Sequence, residues 1–309
     1  MTSLRVVSGN ANPGLAAGVA ELLDVEPPTG ALERFPDGEI RPVVEHVGGA
    51  DVYVVQPTAP PVNDNFVELL LLLDACRRSR AARVTAVVPY FGYARQSRRT
   101  RAGQALGLRV VAEAIAGAGA DRLVVVDPHT AALESASPIP IEILTAVPLL
   151  AERISSAHGG DTVIVAPDAG AAKLAEQYAA VTGDAVALVR KHRENGTRVT
   201  AIDLLGEVQG RAAVIVDDMI STGATLEAAV EILRYRARDI VVAATHGPLA
   251  PAAAQRLREL GVRRILVTDT VSHDALTPPF EVCSVAPLLA SAITSMHSGH
   301  PLHEVFARA

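Results

Sequence analysis

The stretch AAVIVDDMISTGATLEAAVEIL, residues 212–233, combines an apolar run, two adjacent aspartates, a turn with two hydroxyl side chains and a Leu/Ala-rich segment. A continuous run of Val and Ile predicts a strand buried on both faces of a sheet, and the later residues predict a helix beginning near Leu226. In open parallel sheets, ligands lie beyond the carboxyl ends of the strands and beside helix N-termini. The sequence therefore predicts a ligand site at this strand-to-helix corner.

The turn between this strand and this helix has the features of an anion site. Successive backbone N–H groups at a helix N-terminus form a phosphate cradle, although the sequence is not a P-loop because no Lys follows. The carboxylates of Asp217 and Asp218 cannot bind phosphate, but they accept hydrogen bonds from sugar hydroxyls. The alternative is an ordinary helix start capped by Ser or Thr, which needs no pair of acids before it. The residues of the predicted cradle are Ser221, Thr222, Gly223, Ala224 and Thr225.

Apolar β-rich runs alternate with helical segments along the whole chain, which predicts α/β architecture with mostly parallel sheets. We expect two domains, residues 1–146 and 147–309, with a boundary near 139–150 and with residues 287–309 able to pack on the first domain. The predicted strands are 4–9, 51–56, 83–91, 122–127, 162–168, 185–191, 212–218, 239–247 and 263–270. The predicted helices are 66–80, 105–118, 170–182, 225–236 and 250–260.

Composition excludes several functional classes. A net charge of -6 and a pI near 5.9 argue against a general nucleic-acid binder, which needs a basic face. The leucine run at 68–76 is too short to span a bilayer, and the N-terminus lacks a signal-peptide pattern. Cys76 and Cys283 have no CxxC partner, so neither a disulfide framework nor a zinc site is expected. These observations predict a cytoplasmic protein with no membrane or nucleic-acid partner.

A second cluster of charge follows the strand in VVPYFGYARQSRRTR, residues 87–101. Arginine guanidinium groups bind polyphosphate oxygens in pairs and stack on purine rings. The alternative is a solvated basic loop, which is the usual explanation for an isolated pair of arginines. Four arginines beside Gln96, directly after an apolar strand, favour a triphosphate site. These arginines are Arg95, Arg98, Arg99 and Arg101.

Three further polar segments are ambiguous when taken singly. His129 in VVVDPHT and Asp168 in VAPDAG follow predicted strands, although an isolated His is more often structural than a metal ligand. From composition alone, VRKHR at 189–193 is a basic patch that begins a loop, and FPDGE at 35–39 is a turn.

Together, these segments resemble the ribose-phosphate diphosphokinase (PRPP synthetase) family, in the same order over nearly the whole chain. The segment VDDMISTGATL alone is shared with the type I phosphoribosyltransferases, which consume PRPP. The resemblance implies two tandem type I phosphoribosyltransferase-like domains, an active site between them and a homo-oligomer built from dimers, with a hexamer as its expected size. The resembling segments are FPDGEI (35–40), QPTAPPVNDNFVELLLLLDACRRS (56–79), 87–101, VVVDPHT (124–130), VAPDAG (165–170), VRKHR (189–193) and ATHG (244–247).

The family's activity is the transfer of a diphosphoryl group from Mg–ATP to the anomeric hydroxyl of ribose 5-phosphate, which yields PRPP and AMP. By resemblance, Lys191 is catalytic with Arg193 as its partner, while the role of His192 stays open. Mg²⁺ is assigned to His129 and Asp168, with Asp127 as the nearest alternative. Ribose 5-phosphate is assigned to Asp217, Asp218 and residues 221–225. ATP is assigned to Arg95, Gln96 and Arg98, and to Phe35, Asp37 and Glu39 reaching from a neighbouring subunit.

The chain departs from the family pattern at several positions. Ser221 and Ala224 replace a usual Asp and Gly, and Ser97 replaces an acid. Residues 102–109, AGQALGLR, replace a segment that the family uses for phosphate activation and ADP inhibition, so we do not expect this chain to keep that regulation. These departures leave a catalytically silent regulatory subunit as one alternative. The other alternative is a PRPP-consuming phosphoribosyltransferase, which shares the 217–225 motif but has no reason to carry FPDGE and YARQSRR.

Overall fold

The computed structural model describes residues 2–27, 31–155, 161–194, 198–273 and 276–302. For residues 191–194, 198–202 and 251 it describes the backbone only. The chain forms two compact units. Unit 1 comprises Met1–Thr145, Thr270–Ser272 and Ser284–Ala309, and unit 2 comprises Ala146–Asp269 and His273–Cys283.

Unit 1 is built on a five-stranded parallel sheet in the order β1-β4-β5-β6-β7, with a separate antiparallel hairpin of β2 and β3. All residues of β4 are buried, as the apolar run that follows Asp51 predicts for a central parallel strand. The strands are β1 Leu4–Ser8, β2 Ala31–Arg34, β3 Ile40–Val43, β4 Asp51–Val55, β5 Arg83–Val88, β6 Arg122–Val126 and β7 Ile141–Leu144. The helices are α1 Pro13–Leu22, α2 Val62–Arg78, α3 Gly107–Gly117, α4 Ala132–Ala136 and, from the C-terminal part, α9 Ala286–Ser298.

Helix α9 is attached to unit 1 through a buried carboxylate. Asp51, at the start of β4, accepts a hydrogen bond from Arg83 Nε at 2.7 Å, and its Oδ2 lies 2.7 Å from Nδ1 of His297 on α9. Burial acts to raise the pKa of Asp51, but the hydrogen bonds to Arg83 and His297 outweigh it and lower the pKa below its usual range. A buried carboxylate shared by Arg83 and His297 therefore joins the C-terminal helix to the sheet of this unit.

Unit 2 is built on a seven-stranded sheet in the order β10-β9-β8-β11-β12-β13-β14, in which β10 runs antiparallel to β9 and the other neighbours are parallel. The strands are β8 Thr162–Ala166, β9 Ala185–Glu194, β10 Arg198–Leu205, β11 Ala212–Met219, β12 Asp239–His246, β13 Arg264–Thr268 and β14 Phe280–Cys283. The helices are α5 Val147–Ser155, α6 Ala172–Thr182, α7 Ala224–Leu233 and α8 Pro251–Glu259, and a short 3-10 turn covers Ala169–Ala171.

The predicted α/β class with mostly parallel sheets is confirmed. Each predicted strand and helix is present with shifted ends; for example, α7 begins at Ala224 rather than near Leu226. The interpretation of the segment after VRKHR as a loop is wrong, because β9 continues to Glu194 and β10 begins at Arg198. Sequence reasoning did not predict the hairpin β2–β3, which is too short and exposed to carry an apolar signal. Among the described residues, no helix is long and apolar enough to cross a membrane.

Candidate active site

The two aspartates lie where β11 leaves the core of unit 2. Residues of β11 are buried through Val216, whereas Asp217 and Asp218 are partly exposed. The neighbouring strand β12 holds the chain beyond them, since the Ile220 N–H donates to the carbonyl oxygen of His246 at 2.8 Å. The carboxyl end of this central strand therefore presents both acids at the sheet edge where ligands of parallel sheets bind.

The acid pair has an unusual electrostatic state. The Asp218 N–H donates to Asp217 Oδ1 at 2.9 Å, and among the residues that the structure describes Asp217 has no cationic partner. Burial, followed by repulsion from Asp218 and a further contribution from Asp168, raises the pKa of Asp217 to about 8. The ionised form of this carboxyl group is therefore disfavoured, and a ligand that supplies hydrogen-bond donors would stabilise it.

The turn after the acids ends at Gly223, which is the N-cap of α7 and has a φ of +79°. Within the described part of the chain, no side chain caps this helix, so a Ser- or Thr-capped start does not describe it. The first N–H groups of a helix have no partner inside the helix, and they attract anions. The start of α7 can therefore donate its amides to a phosphate.

Gly223 offers a direct test of this loop, because a side chain there would strain the backbone and press on the core. A Cβ at this position would lie 3.2 Å from Leu257 Cδ2. We expect Gly223→Ala to lower the free energy of unfolding by about 1–2 kcal/mol and to weaken binding of a phosphorylated ligand several-fold.

Gly261→Ala is the matched control for Gly223→Ala. Gly261 has a similar φ of +71°, but nothing lies within 4 Å of the added Cβ. The Gly261→Ala variant should lose a comparable amount of unfolding free energy in denaturant titrations, while its binding of a phosphorylated ligand stays unchanged. Equal binding losses in the two variants would contradict the assignment of the loop.

Asp168 lies beside the acid pair. It stands three residues beyond Val165, whose partner in β11 is Ile215, and Asp218 stands three residues beyond Ile215. Its carboxylate accepts a hydrogen bond from the Gly170 N–H at 2.9 Å at the start of the 3-10 turn. Carboxylate oxygens suit Mg²⁺, which prefers a few protein ligands completed by water and substrate oxygens. Among the described residues, no group of three His, Cys, Asp or Glu side chains could by itself hold a metal.

In unit 1, the predicted triphosphate segment follows β5 and is anchored at its base by Thr58. The Thr58 hydroxyl accepts a hydrogen bond from the Gly92 N–H at 2.7 Å and donates to the Tyr90 carbonyl at 3.1 Å. The arginines beyond this anchor are exposed, and none of the four has a carboxylate partner among the residues that the structure describes. Unpaired cations in a fixed turn suit a polyphosphate. The four are Arg95, Arg98, Arg99 and Arg101.

Gln96 packs against the start of α3. Its Oε1 lies 2.5 Å from where a Cβ of Gly107 would stand, so a residue larger than glycine at 107 would displace it. The segment at 102–109, which departs from the family pattern, therefore contacts one of the residues predicted to bind ATP.

The FPDGE segment forms the tip of the β2–β3 hairpin. The Phe35 N–H donates to the Glu39 carbonyl at 2.8 Å, and the Glu39 N–H donates to Asp37 Oδ1 at 3.1 Å. The guanidinium of Arg41 lies 5.1 Å from the centre of the Phe35 ring. Asp37 and Glu39 are exposed, so both side chains are free to meet a ligand.

His129 is exposed just past β6, in unit 1, and Asp127 precedes it with a φ of +36°, a conformation that costs energy for a residue with a side chain. Lys191 and Arg193 lie in β9, but their side chains, like that of His192, are outside the described residues. The neighbouring Arg190 forms an exposed ion pair with Asp203 at 3.1 Å.

The sequence did not reveal that Thr58 anchors the segment after β5, or that the carbonyl oxygen of His246 accepts a hydrogen bond from the Ile220 N–H. Both act through partners distant in sequence, and neither lies in a local pattern that signals such a contact.

Comparisons with known proteins bear on the whole chain. A family model described as the N-terminal domain of ribose phosphate pyrophosphokinase matches residues 4–119, and one described as the phosphoribosyl synthetase-associated domain matches residues 193–307. Proteins named ribose-phosphate pyrophosphokinase from Gloeobacter violaceus and Rhodopirellula baltica are each 40% identical to it, covering 98% and 99% of this chain and 93% and 99% of their own lengths. The crystal structure of phosphoribosylpyrophosphate synthetase from Mycobacterium smegmatis matches with a TM-score of 0.90 at 36% identity, covering 96% of this chain and 100% of that one.

Proposed function

Since the chain belongs to the ribose-phosphate pyrophosphokinase family, we propose that it binds ribose 5-phosphate at the corner between β11 and α7. The chain is an enzyme that catalyses the family's reaction, the ATP-dependent transfer of a diphosphoryl group to ribose 5-phosphate, which yields PRPP and AMP. The observation that carries the site assignment is the adjacency of two carboxylates and a helix N-terminus without a side-chain cap.

In this proposal, the two ends of the sugar phosphate meet two different chemistries. Asp217 and Asp218 accept hydrogen bonds from the vicinal ring hydroxyls, and the amides and hydroxyls of residues 221–225 bind the 5-phosphate. The raised pKa of Asp217 supports this assignment, because such a carboxyl group gains stability when hydroxyl donors replace repulsion. Ser221 still supplies a donor where the family usually has an acid.

We assign the nucleotide to unit 1. Arg95, Gln96 and Arg98 would bind the triphosphate, which the absence of carboxylate partners for the two arginines among the described residues supports. Phe35, Asp37 and Glu39 at the hairpin tip would bind the adenine of an ATP molecule whose triphosphate is bound by a neighbouring subunit. This arrangement requires a homo-oligomer, and we propose one built from dimers, with a hexamer as its size. Size-exclusion chromatography with light scattering measures it.

We propose that Mg²⁺ is held by His129 and Asp168 together with phosphate oxygens and water. When bound, the ion would neutralise charge on the triphosphate. Lys191 and Arg193 would stabilise the charge that develops as the anomeric oxygen attacks the β-phosphorus and AMP leaves, since phosphoryl transfer depends mainly on positioning and on cations. Two buried free thiols, Cys76 and Cys283, support a reducing, cytoplasmic location.

One assay separates the proposed reaction from its alternatives. The purified chain should release AMP when given ATP, ribose 5-phosphate and Mg²⁺, and should release none when ribose 5-phosphate is omitted. A PRPP-consuming phosphoribosyltransferase would instead release diphosphate from PRPP and a nucleobase. A silent regulatory subunit would do neither, and either result would overturn the proposal. Repeating the assay with and without added inorganic phosphate tests whether the changed segment at 102–109 has removed phosphate activation.

A further inference from the structure

Helix α8 contacts the phosphate loop through one arginine that lies outside every motif in the sequence. Arg256 donates from Nη2 to the carbonyl oxygen of Thr222 at 2.8 Å and from Nε to Glu227 Oε1 at 3.0 Å. Thr222 belongs to the loop, and Glu227 lies in the first turn of α7. A single guanidinium group therefore joins the loop to the helix that the loop introduces.

The contact with Thr222 determines which way the next amide points. In a planar trans peptide the C=O and N–H bonds point in opposite directions. Because Arg256 holds the Thr222 oxygen toward α8, the N–H of Gly223 is directed away from α8. Arg256 thus sets the orientation of the Gly223 amide within the cradle.

The next residue of α8, Leu257, packs against Gly223 of the same peptide. Leu257 is fully buried, and its side-chain carbons lie 3.2 to 3.6 Å from where a Cβ of Gly223 would stand. Arg256 and Leu257 therefore act on adjacent loop residues, one through a hydrogen bond and the other through packing.

We propose that Arg256 is a positioning residue for ribose 5-phosphate: it presets the amides of the 221–225 loop for the phosphate without contacting the reacting atoms. This inference rests on the proposed ribose 5-phosphate site. A loop that is already in its binding conformation loses less entropy when the ligand arrives. We expect its effect to be confined to the sugar phosphate, because its hydrogen bonds within the described part of the chain reach only Thr222 and Glu227, neither of which is assigned to ATP.

The test is Arg256→Met, which keeps much of the aliphatic side chain and removes the donors. The KM for ribose 5-phosphate should rise about fivefold, which is less than the loss of a buried charged hydrogen bond would cause because the Arg256 side chain is half-exposed. The kcat and the KM for ATP should stay within about twofold of wild type. Arg256→Lys keeps one donor group and should restore part of the affinity, and Glu227→Gln keeps an acceptor for Nε and should have a smaller effect than Arg256→Met.

Arg263→Met is the matched control, since Arg263 pairs with Asp239 at 2.9 Å on the same unit and touches no part of the loop. Equal KM values for ribose 5-phosphate in Arg256→Met and Arg263→Met would overturn the inference, as would a fall in kcat with an unchanged KM. If Arg256→Met does not fold, the KM for ribose 5-phosphate is compared among wild type, Arg256→Lys and Glu227→Gln. Identical KM values in these three proteins would overturn the inference.

A double variant distinguishes failure of this inference from failure of the site itself. Asp217→Ala with Asp218→Ala should raise the KM for ribose 5-phosphate far more than Arg256→Met does. If the double variant raises the KM and Arg256→Met does not, only the role of Arg256 is wrong. If the double variant leaves the KM unchanged, the proposed ribose 5-phosphate site is wrong.

Discussion

Lys191→Ala should lower kcat by about 10³-fold while leaving the fold and ribose 5-phosphate binding intact, because in the proposed mechanism its cation stabilises charge that develops only in the transition state. Interactions made only in the transition state lower kcat without weakening the ground-state complex. AMP release measures kcat, isothermal titration with ribose 5-phosphate measures binding, and the thermal midpoint reports the fold.

Arg190→Ala provides the control for Lys191→Ala. The two residues are neighbours in β9. Arg190 makes an exposed ion pair with Asp203, which contributes little to stability. Its loss should leave kcat within about twofold of wild type. Full activity in Lys191→Ala, or an equal loss in both variants, would refute the catalytic assignment.

The parallel sheets were predictable because their strands carry a strong local signal. A strand buried on both faces needs an unbroken apolar run, and after Asp51 the rest of β4 is apolar and fully buried. The β2–β3 hairpin has no such requirement, since most of its residues face water. Nothing in its composition separates it from a loop, and the FPDGE turn at its tip is all that sequence alone could detect.

The acids and the glycine of the proposed ribose 5-phosphate site could be singled out from sequence, because they are contiguous at one strand end. The residues that hold the loop in its conformation could not be predicted from sequence, because they belong to other secondary-structure elements. The backbone of Ile220 is held by β12, and the carbonyl of Thr222 is held by Arg256 from a helix about 30 residues further along the chain. An arginine in the middle of an amphipathic helix is ordinarily solvated, so its pattern gives no indication of this contact.

Asp217→Asn should stabilise the protein and weaken its substrate binding. The pKa of Asp217 is raised from 3.8 to about 8 in the folded state. A carboxyl group with a raised pKa favours the fold below its unfolded value and penalises it increasingly as pH rises to the folded value. The amide removes that penalty, so the gain in unfolding free energy should grow from pH 4 to pH 8 and then level off at several kcal/mol, since each pKa unit corresponds to about 1.4 kcal/mol.

Denaturant titrations at pH 5, 7 and 9 measure this gain, with Asp161→Asn as the control. Asp161 is exposed and pairs with Arg211 at 3.0 Å, so its loss should change stability by less than about 0.5 kcal/mol at every pH. Affinity for ribose 5-phosphate should fall by about 10- to 100-fold in Asp217→Asn, because the amide presents one acceptor oxygen to hydroxyls that a carboxylate binds with two. A variant that is both more stable and fully competent in binding would exclude Asp217 from the sugar site.

The same carboxyl group makes ribose 5-phosphate binding depend on pH in the wild type. Sugar hydroxyls donate most strongly to the ionised acid, so binding below pH 8 should release a proton from Asp217, and affinity should rise from pH 7 to pH 8 before levelling off. The phosphate of the ligand loses its second proton near pH 6 and contributes little above pH 7. Calorimetric titrations in two buffers of different ionisation enthalpy count the proton directly. Asp217→Asn should bind without releasing it, and proton release of equal size in both proteins would place the titrating group elsewhere.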